Sequence, residues 1–280
     1  MSAAPLSISR IDIGLRSKIL NHCIQMLAKT PIETHPFPHF VVTGFLPPDF
    51  YPDLLAGLPD PKQYEPFAYE KHHDKSGLSN RFRHQFSNEC LEKLPASQRQ
   101  LWFTVRSVLG SDELKHAVFQ KLAPGLMLRY GVEESAVKDL SGFALPELFH
   151  ETEGYSIKPH PDTRKKVVTM QLALASNDGQ RDLGTEFYRR SFDPRSWLRA
   201  PYGFETVKKM PFTPNTVYAF SVLNTVLLKS WHGRTVIPGD FGVRNSLLNI
   251  WYEQPENANR ELIDDANWFS APQANHRRAA

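Results

Sequence analysis

Residues 147–163 read ELFHETEGYSIKPHPDT. The first part, ELFHE, and the later YSIKPH are rich in aromatic and aliphatic residues and read as extended chain, parted by a turn at Gly154. The stretch closes on His160-Pro161-Asp162. In an extended segment, residues two apart point to the same face, so the imidazole of His160 and the carboxylate of Asp162 are expected to look at one point.

Working outward from this stretch, the same character continues downstream. MLRYG, KVVTMQLALAS, TEFYRR, ETVKKMPF, NTVYAFSV, LLKSWHG and VRNSLLNIWY are short apolar or β-branched runs split by Gly, Pro, Asn and Asp. Many short strands with regular turn signals indicate an all-β sandwich or barrel over residues 125–252. Upstream the pattern differs. Residues 11–29 place Ile11, Leu15, Ile19, Cys23 and Met26 at three- and four-residue steps, the period of an amphipathic helix. PHFVVTGF reads as a strand, a short helix is expected from near Asp49, and residues 95–122 carry two helical stretches broken near Gly110-Ser111. Residues 64–90 read as a loop or irregular strands. The expectation is one domain over 1–280, with a mainly helical part over 1–124, the β core over 125–252 and a tail over 253–280 that is a short helix or frayed.

Bulk properties narrow the function classes. The chain has 280 residues, 41% apolar and 22% charged, and a net charge of +3. No block of Lys and Arg forms a phosphate-binding stripe, so nucleic acid is not an expected partner. No run approaches the roughly 18 apolar residues of a membrane span, and the N-terminus lacks the apolar core of a signal peptide. Two cysteines, Cys23 and Cys90, form neither a disulfide framework nor a CxxC site. A cytoplasmic protein in a reducing compartment is the expectation. The sequence leaves the oligomeric state open.

A third ligand for a metal at His160 and Asp162 is His232, seventy residues after Asp162, in KSWHGRTV. Two imidazoles and one carboxylate on one side of a metal leave coordination positions open, the arrangement of non-haem Fe(II) oxygenases. The triplet alone is weak evidence, because among eleven histidines His72-His73-Asp74 is a second one. That decoy lies in a polar stretch, and the next histidine, His84, is too close for intervening strands. The first triplet has further support: twelve residues after His232 comes Arg244, with Ser246 beyond it on the same face of an expected strand. A guanidinium beside a hydroxyl suits a carboxylate, since the arginine fork can engage both oxygens.

With these pieces in order, the C-terminal half resembles the 2-oxoglutarate/Fe(II) dioxygenase superfamily, in its prolyl 4-hydroxylase-like branch. ELFHETEGYSIKPHPDT resembles the strand leading into the family's HxD. DLGTEFY stands where a Gly-Gly-x-Leu turn is usual, VKKMPFTPNTVYAFS where a Pro-x-x-Gly turn precedes an apolar strand, and SWHGRTVIPGDFGVRNSLLNIWY resembles the final His-to-Arg module. PFPHFVVTGFLPPDF resembles the opening strand, so coverage is roughly residues 36–60 and 125–252. Two departures, Gly184-Thr185 for the double glycine and Asn215 for a glycine, fall at turn positions where Gly and Asn tolerate positive φ. The resemblance implies an α+β chain with a double-stranded β-helix (jelly-roll) core and an N-terminal helical buttress. It also implies Fe(II) and 2-oxoglutarate, with O2 consumed, succinate and CO2 released and an unactivated C–H hydroxylated; no catalytic residue is expected beyond the metal ligands. The aspartate at 162 argues for hydroxylation, because halogenating relatives carry a small residue there.

Other residues are weaker candidates. Val167, Thr169, Gln171 and Ala173 alternate with the apolar Val168, Met170, Leu172 and Leu174, so Thr169 and Gln171 are expected to face the cavity and bind cosubstrate or substrate. Tyr155 is a candidate phenol donor to 2-oxoglutarate. Lys158 and Arg164 flank the ligands, and Trp231 adjoins His232. The basic, aromatic loop 67–86 is a candidate cover for the cavity mouth. A small-molecule or glycan substrate is expected, with peptidyl proline or an amino acid as alternatives. Two other classes stand beside the hydroxylase: a cupin-like isomerase or hydrolase that ignores the keto acid, and a non-catalytic binding module.

Overall fold

A computed structural model describes residues 7–67 and 79–270. His72, Asp74 and most of the 67–86 loop therefore lie outside the described residues.

The N-terminal part begins with helix α1 (Ile13–Lys29), whose first turn is capped by the Asp12 carboxylate on the Leu15 amide. Its Ile19, Cys23 and Leu27, spaced four apart, are buried as the period demands. Strand β1 (His39–Thr43), helix α2 (Tyr51–Ala56) and two short strands follow, β2 (Glu65–Pro66) and β3 (Arg81–Gln85). Helices α3 (Asn88–Glu92), α4 (Ala96–Leu109), α5 (Asp112–Lys121) and α6 (Ala123–Tyr130) complete this part. The break between α4 and α5 falls at Gly110-Ser111 as expected, where the Ser111 hydroxyl caps the Leu114 amide.

Eight strands follow: β4 (Phe143–Glu151), β5 (Ile157–His160), β6 (Lys166–Ala173), β7 (Glu186–Arg190), β8 (Phe204–Lys209), β9 (Thr216–Ser221), β10 (His232–Arg234) and β11 (Arg244–Tyr252). They form two antiparallel sheets. The larger runs β1-β9-β6-β11-β4-β3-β2 and the smaller β5-β10-β7-β8. From β4 onward the chain crosses from one sheet to the other, with β7 and β8 as a hairpin within the smaller one. This is the double-stranded β-helix. Helix α7 (Arg260–Ser270) returns to the helical side.

The main apolar core lies between the larger sheet and the helices. Val168, Met170 and Leu172 of β6 and Leu247 and Trp251 of β11 pack with Ile19, Trp102, Phe103 and Phe119 of the helices. The helical part is thus a buttress on the outer face of the larger sheet. A second cluster, with Phe187 of β7 and Tyr218 and Phe220 of β9, joins the two sheets. The face of β6 that carries Thr169 and Gln171 is left for the interior between the sheets.

Three expectations need correction. MLRYG is not a strand: it ends α6, terminated by Gly131 in the left-handed region (φ +66°), so the β core begins at Phe143. Residues 81–85 are a regular strand between β4 and the short β2, because pairing with β4 along their whole length satisfies their backbone groups. Val167 breaks the expected alternation. The register of β6 against β11 slips at this residue, and it joins the outer core with Val168. The tail agrees with its expectation of a short helix: α7 is tied to α4 by the buried Arg106, whose Nη2 meets Asp265 at 2.8 Å and Nη1 meets Glu261 at 3.1 Å.

The two turn residues behave differently from each other. Asn215 has φ +52°, and its side chain clasps Leu46 through both the amide and the carbonyl, each at 2.8 Å. Gly184 has an ordinary φ of −76°. Its requirement is close approach, since a Cβ there would lie 1.6 Å from the carbonyl oxygen of Met210. Gly184→Ala is therefore expected to cost about 3 kcal/mol of stability, read as a lower urea midpoint with an unchanged slope.

Candidate metal and anion site

β5 and β10 are neighbours in the smaller sheet, and His232 sits opposite His160 in their register. This pairing brings two histidines seventy-two positions apart in sequence into contact, with ring centroids 4.5 Å apart. Asp162 follows β5, its Oδ2 3.8 Å from His232 Nε2. One nitrogen or oxygen from each of the three side chains lies within 4.8 Å of the others. Each histidine has its Nδ1 2.9 Å from a backbone carbonyl, that of Lys158 for His160 and that of Ser230 for His232. A hydrogen bond to a carbonyl requires the proton on Nδ1, which leaves the Nε2 lone pair of both rings facing the shared point.

Electrostatics prepare the same three groups. Burial pushes His160 down to about 4, and the neighbouring His232 adds to this. Burial likewise lowers His232. Both imidazoles are neutral at ordinary pH. Burial alone would raise Asp162, but Lys166, His232 and hydrogen bonds from Lys166 and Thr169 hold it well below the usual carboxylate range. Lys166 Nζ lies 2.6 Å from Oδ1, and Thr169 Oγ1 donates to Oδ2 at 2.7 Å. Two neutral imidazoles and one ionised carboxylate, oriented from outside, fit a divalent metal of the Fe(II) or Zn(II) kind.

The three groups open into a cavity of about 110 Å³ between the sheets, also lined by Tyr155, Thr169, Gln171 and Arg244. Arg244 is fully buried. Its Nε donates to the Leu183 carbonyl at 2.9 Å and its Nη2 to Gln171 Oε1 at 3.1 Å. Nη1 meets the Glu151 carboxylate and the Ser246 hydroxyl. The guanidinium stacks on Phe212 at 4.0 Å. Gln171 is the hub of this network. Its oxygen also accepts from Tyr218 at 2.7 Å and Thr185 at 3.3 Å, and its nitrogen donates to Ser246 at 3.1 Å.

The fold thus gathers His160, Asp162, His232, Thr169, Gln171, Tyr155 and Arg244 around one cavity, while Ser246 does not line it and instead bonds Gln171 and Arg244. Other candidates lie away from it. Trp231, just before β10, packs instead against Phe204 in a tilted pair with ring centroids 4.8 Å apart. Arg164 donates to the Asn224 carbonyl, and Lys158 is exposed. His150 bonds Asn245 at 3.0 Å.

No family profile matches the sequence, and no curated protein matches it. Solved structures do. A Pseudomonas putida prolyl-4-hydroxylase is 15% identical, with 84% of this chain and 99% of that one covered and a TM-score of 0.46. A Burkholderia pseudomallei oxidoreductase of the 2OG-Fe(II) oxygenase family is 13% identical, with 86% and 93% covered and a TM-score of 0.43. The non-haem alpha-ketoglutarate-dependent epimerase SnoN of nogalamycin biosynthesis is 11% identical, with 84% and 82% covered and a TM-score of 0.44. The solved structures similar to this chain include 2-oxoglutarate/Fe(II) oxygenases.

Four charged residues of the cavity escaped the reading of the sequence. Glu151, Arg81, Arg234 and Lys166 all line it. Arg234 was accessible to the rule applied to His160 and Asp162: in His232-Gly233-Arg234, residues two apart share a face. Arg81 and Glu151 were not, because only the β3–β4 pairing sets one opposite the other.

Proposed function

We propose that this chain is a non-haem Fe(II)- and 2-oxoglutarate-dependent dioxygenase in which His160, Asp162 and His232 hold the iron. The supporting observation is that the three ligand atoms and the Arg244 guanidinium open into the same cavity of about 110 Å³. Iron with the keto acid and O2 supplies the oxidation of an unactivated C–H, with release of succinate and CO2. The chain's own residues orient the partners. Lys158 and Ser230 carbonyls fix the histidine tautomers, while Thr169 and Lys166 hold the Asp162 carboxylate in place. Arg244, braced by Gln171 and Ser246, offers its fork to the distal carboxylate of 2-oxoglutarate, with Tyr155 and Tyr218 beside it. A small molecule or glycan is the substrate class we favour, over peptidyl proline or an amino acid. No described helix is long and apolar enough to cross a membrane, and the free Cys23 and Cys90 fit a reducing cytoplasm.

One observation favours a second reading, a metal-dependent isomerase or hydrolase of cupin type: the Glu151 carboxylate already engages Arg244. The two readings differ in whether the keto acid is used. The test is succinate release, expected only when Fe(II), 2-oxoglutarate and O2 are present together. Arg244→Lys keeps the charge and loses the fork. It is expected to weaken 2-oxoglutarate binding roughly 100-fold, about 2.7 kcal/mol, and to leave Mn(II) affinity within about threefold. Equal loss of both affinities would place Arg244 in the framework instead of the cosubstrate site.

A further inference from the structure

The cavity holds more positive charge than an iron and 2-oxoglutarate site needs. Among the described residues its lining carries Arg81, Lys166, Arg234 and Arg244 against Glu151 and Asp162, which is four cations to two carboxylates. Each histidine holds its Nδ1 against a backbone carbonyl and turns Nε2 to the metal point, so neither adds a charge. A divalent metal adds two positive charges and 2-oxoglutarate two negative ones, so the excess of two remains when both are bound. Uncompensated charge in a poorly hydrated cavity is costly, and proteins retain it where a ligand supplies the counter-charge.

The excess is localised. Arg234 has a side chain 4% exposed, and its Nη2 lies 3.1 Å from Glu151 Oε2. Its Nη1 is buried without any hydrogen-bond partner among the described residues. The guanidinium lies 4.6 Å over the Tyr155 ring, so its plane is set by stacking. Arg234 lies two residues beyond the metal ligand His232 on β10 and shares its face. Arg81 approaches from the larger sheet, Nε 3.1 Å from the other Glu151 oxygen. Glu151 so stands between three guanidiniums and holds them as separate arms. Arg244 is tied to Leu183, Gln171 and Ser246, while Arg234 keeps an unused N–H group.

We infer that the substrate oxidised here carries an anionic group, a carboxylate, sulfate or phosphate, which Arg234 binds with Arg81 beside it, at a subsite separate from that of 2-oxoglutarate. This inference rests on the oxygenase reading. It narrows the substrate to an acidic small molecule or an acidic or sulfated sugar, held by its charge so that a neutral C–H faces the metal.

The test uses the full chain loaded with Mn(II), which occupies the metal site without turnover, and inorganic sulfate as the minimal anionic probe. With 2-oxoglutarate saturating, sulfate is expected to bind the wild type, and Arg234→Gln to weaken it at least tenfold while changing 2-oxoglutarate affinity less than threefold. In the wild type, saturating sulfate is expected to leave the 2-oxoglutarate dissociation constant within twofold, a measurement that needs no variant to fold. Competition between the two, or an Arg234→Gln loss of 2-oxoglutarate affinity as large as that of Arg244→Lys, would assign Arg234 to the cosubstrate and overturn the proposal. Sulfate binding that is absent, or indifferent to Arg234→Gln, would overturn it too. If the Mn(II) protein does not bind 2-oxoglutarate at all, the oxygenase reading fails, while the sulfate titration still reports whether Arg234 receives an anion.

Discussion

Glu151→Ala is expected to lower the unfolding free energy by about 3–5 kcal/mol, the usual cost of removing one side of a buried ion pair. The Glu151 side chain is 2% exposed and meets Arg81 and Arg234 at 3.1 Å each, and Arg244. Without it, three guanidiniums share a buried space with no carboxylate of the described residues among them. At roughly 2–4 °C per kcal/mol for a chain of this size, the melting temperature should fall by roughly 10 °C. The pH dependence follows from the same contacts. Burial would raise the Glu151 carboxyl, but Arg244, Arg234 and Arg81 outweigh it and hold it below its ordinary value. A depressed carboxylate contributes its stability in full above the unfolded value near 4.5 and loses it as the pH falls toward the folded one. Acidification should thus destabilise the wild type and affect Glu151→Ala less. Added sulfate should restore part of the lost melting temperature of the variant. A change under about 1 kcal/mol would mean that the carboxylate is not the counter-ion of the cluster.

His160→Ala is expected to lower Mn(II) or Fe(II) affinity more than about 100-fold, beyond the 10–100-fold cost of losing an outer-shell partner. Metal-dependent succinate release should vanish with it. The fold should survive: His160 is only partly buried, and its one internal bond is to the local Lys158 carbonyl. His150→Ala is the control, since its Nδ1 is bonded to Asn245 and no metal-ligand cluster among the described residues includes it. Titration of both variants by metal-binding calorimetry separates the roles. Equal metal affinity in His160→Ala and wild type would remove His160 from the ligand set.

The ligand cluster was legible because strand geometry is local. His160 and Asp162 share a face by their spacing, and the same rule placed Thr169 and Gln171 inward on β6. Partner His232 was named from the need for a third ligand, while its place beside His160 comes from the β5–β10 pairing, which nothing local specifies. Helix α1 and the α4–α5 break were legible from period and capping. What failed was non-local. MLRYG has strand-like residues, yet Gly131 and packing on the sheet make it a helix end. Val167 turned outward at a register slip that only pairing with β11 creates. Glu151 as the counter-ion of Arg244 was hidden for the same reason: β4 and β11 are ninety residues apart in sequence and adjacent in the sheet.

The most direct test is a titration of 2-oxoglutarate into the chain with and without Fe(II), under anaerobic conditions. The account predicts binding that requires the metal and that weakens roughly 100-fold in Arg244→Lys. No 2-oxoglutarate binding by the metal-loaded protein, with metal affinity itself intact, would contradict it.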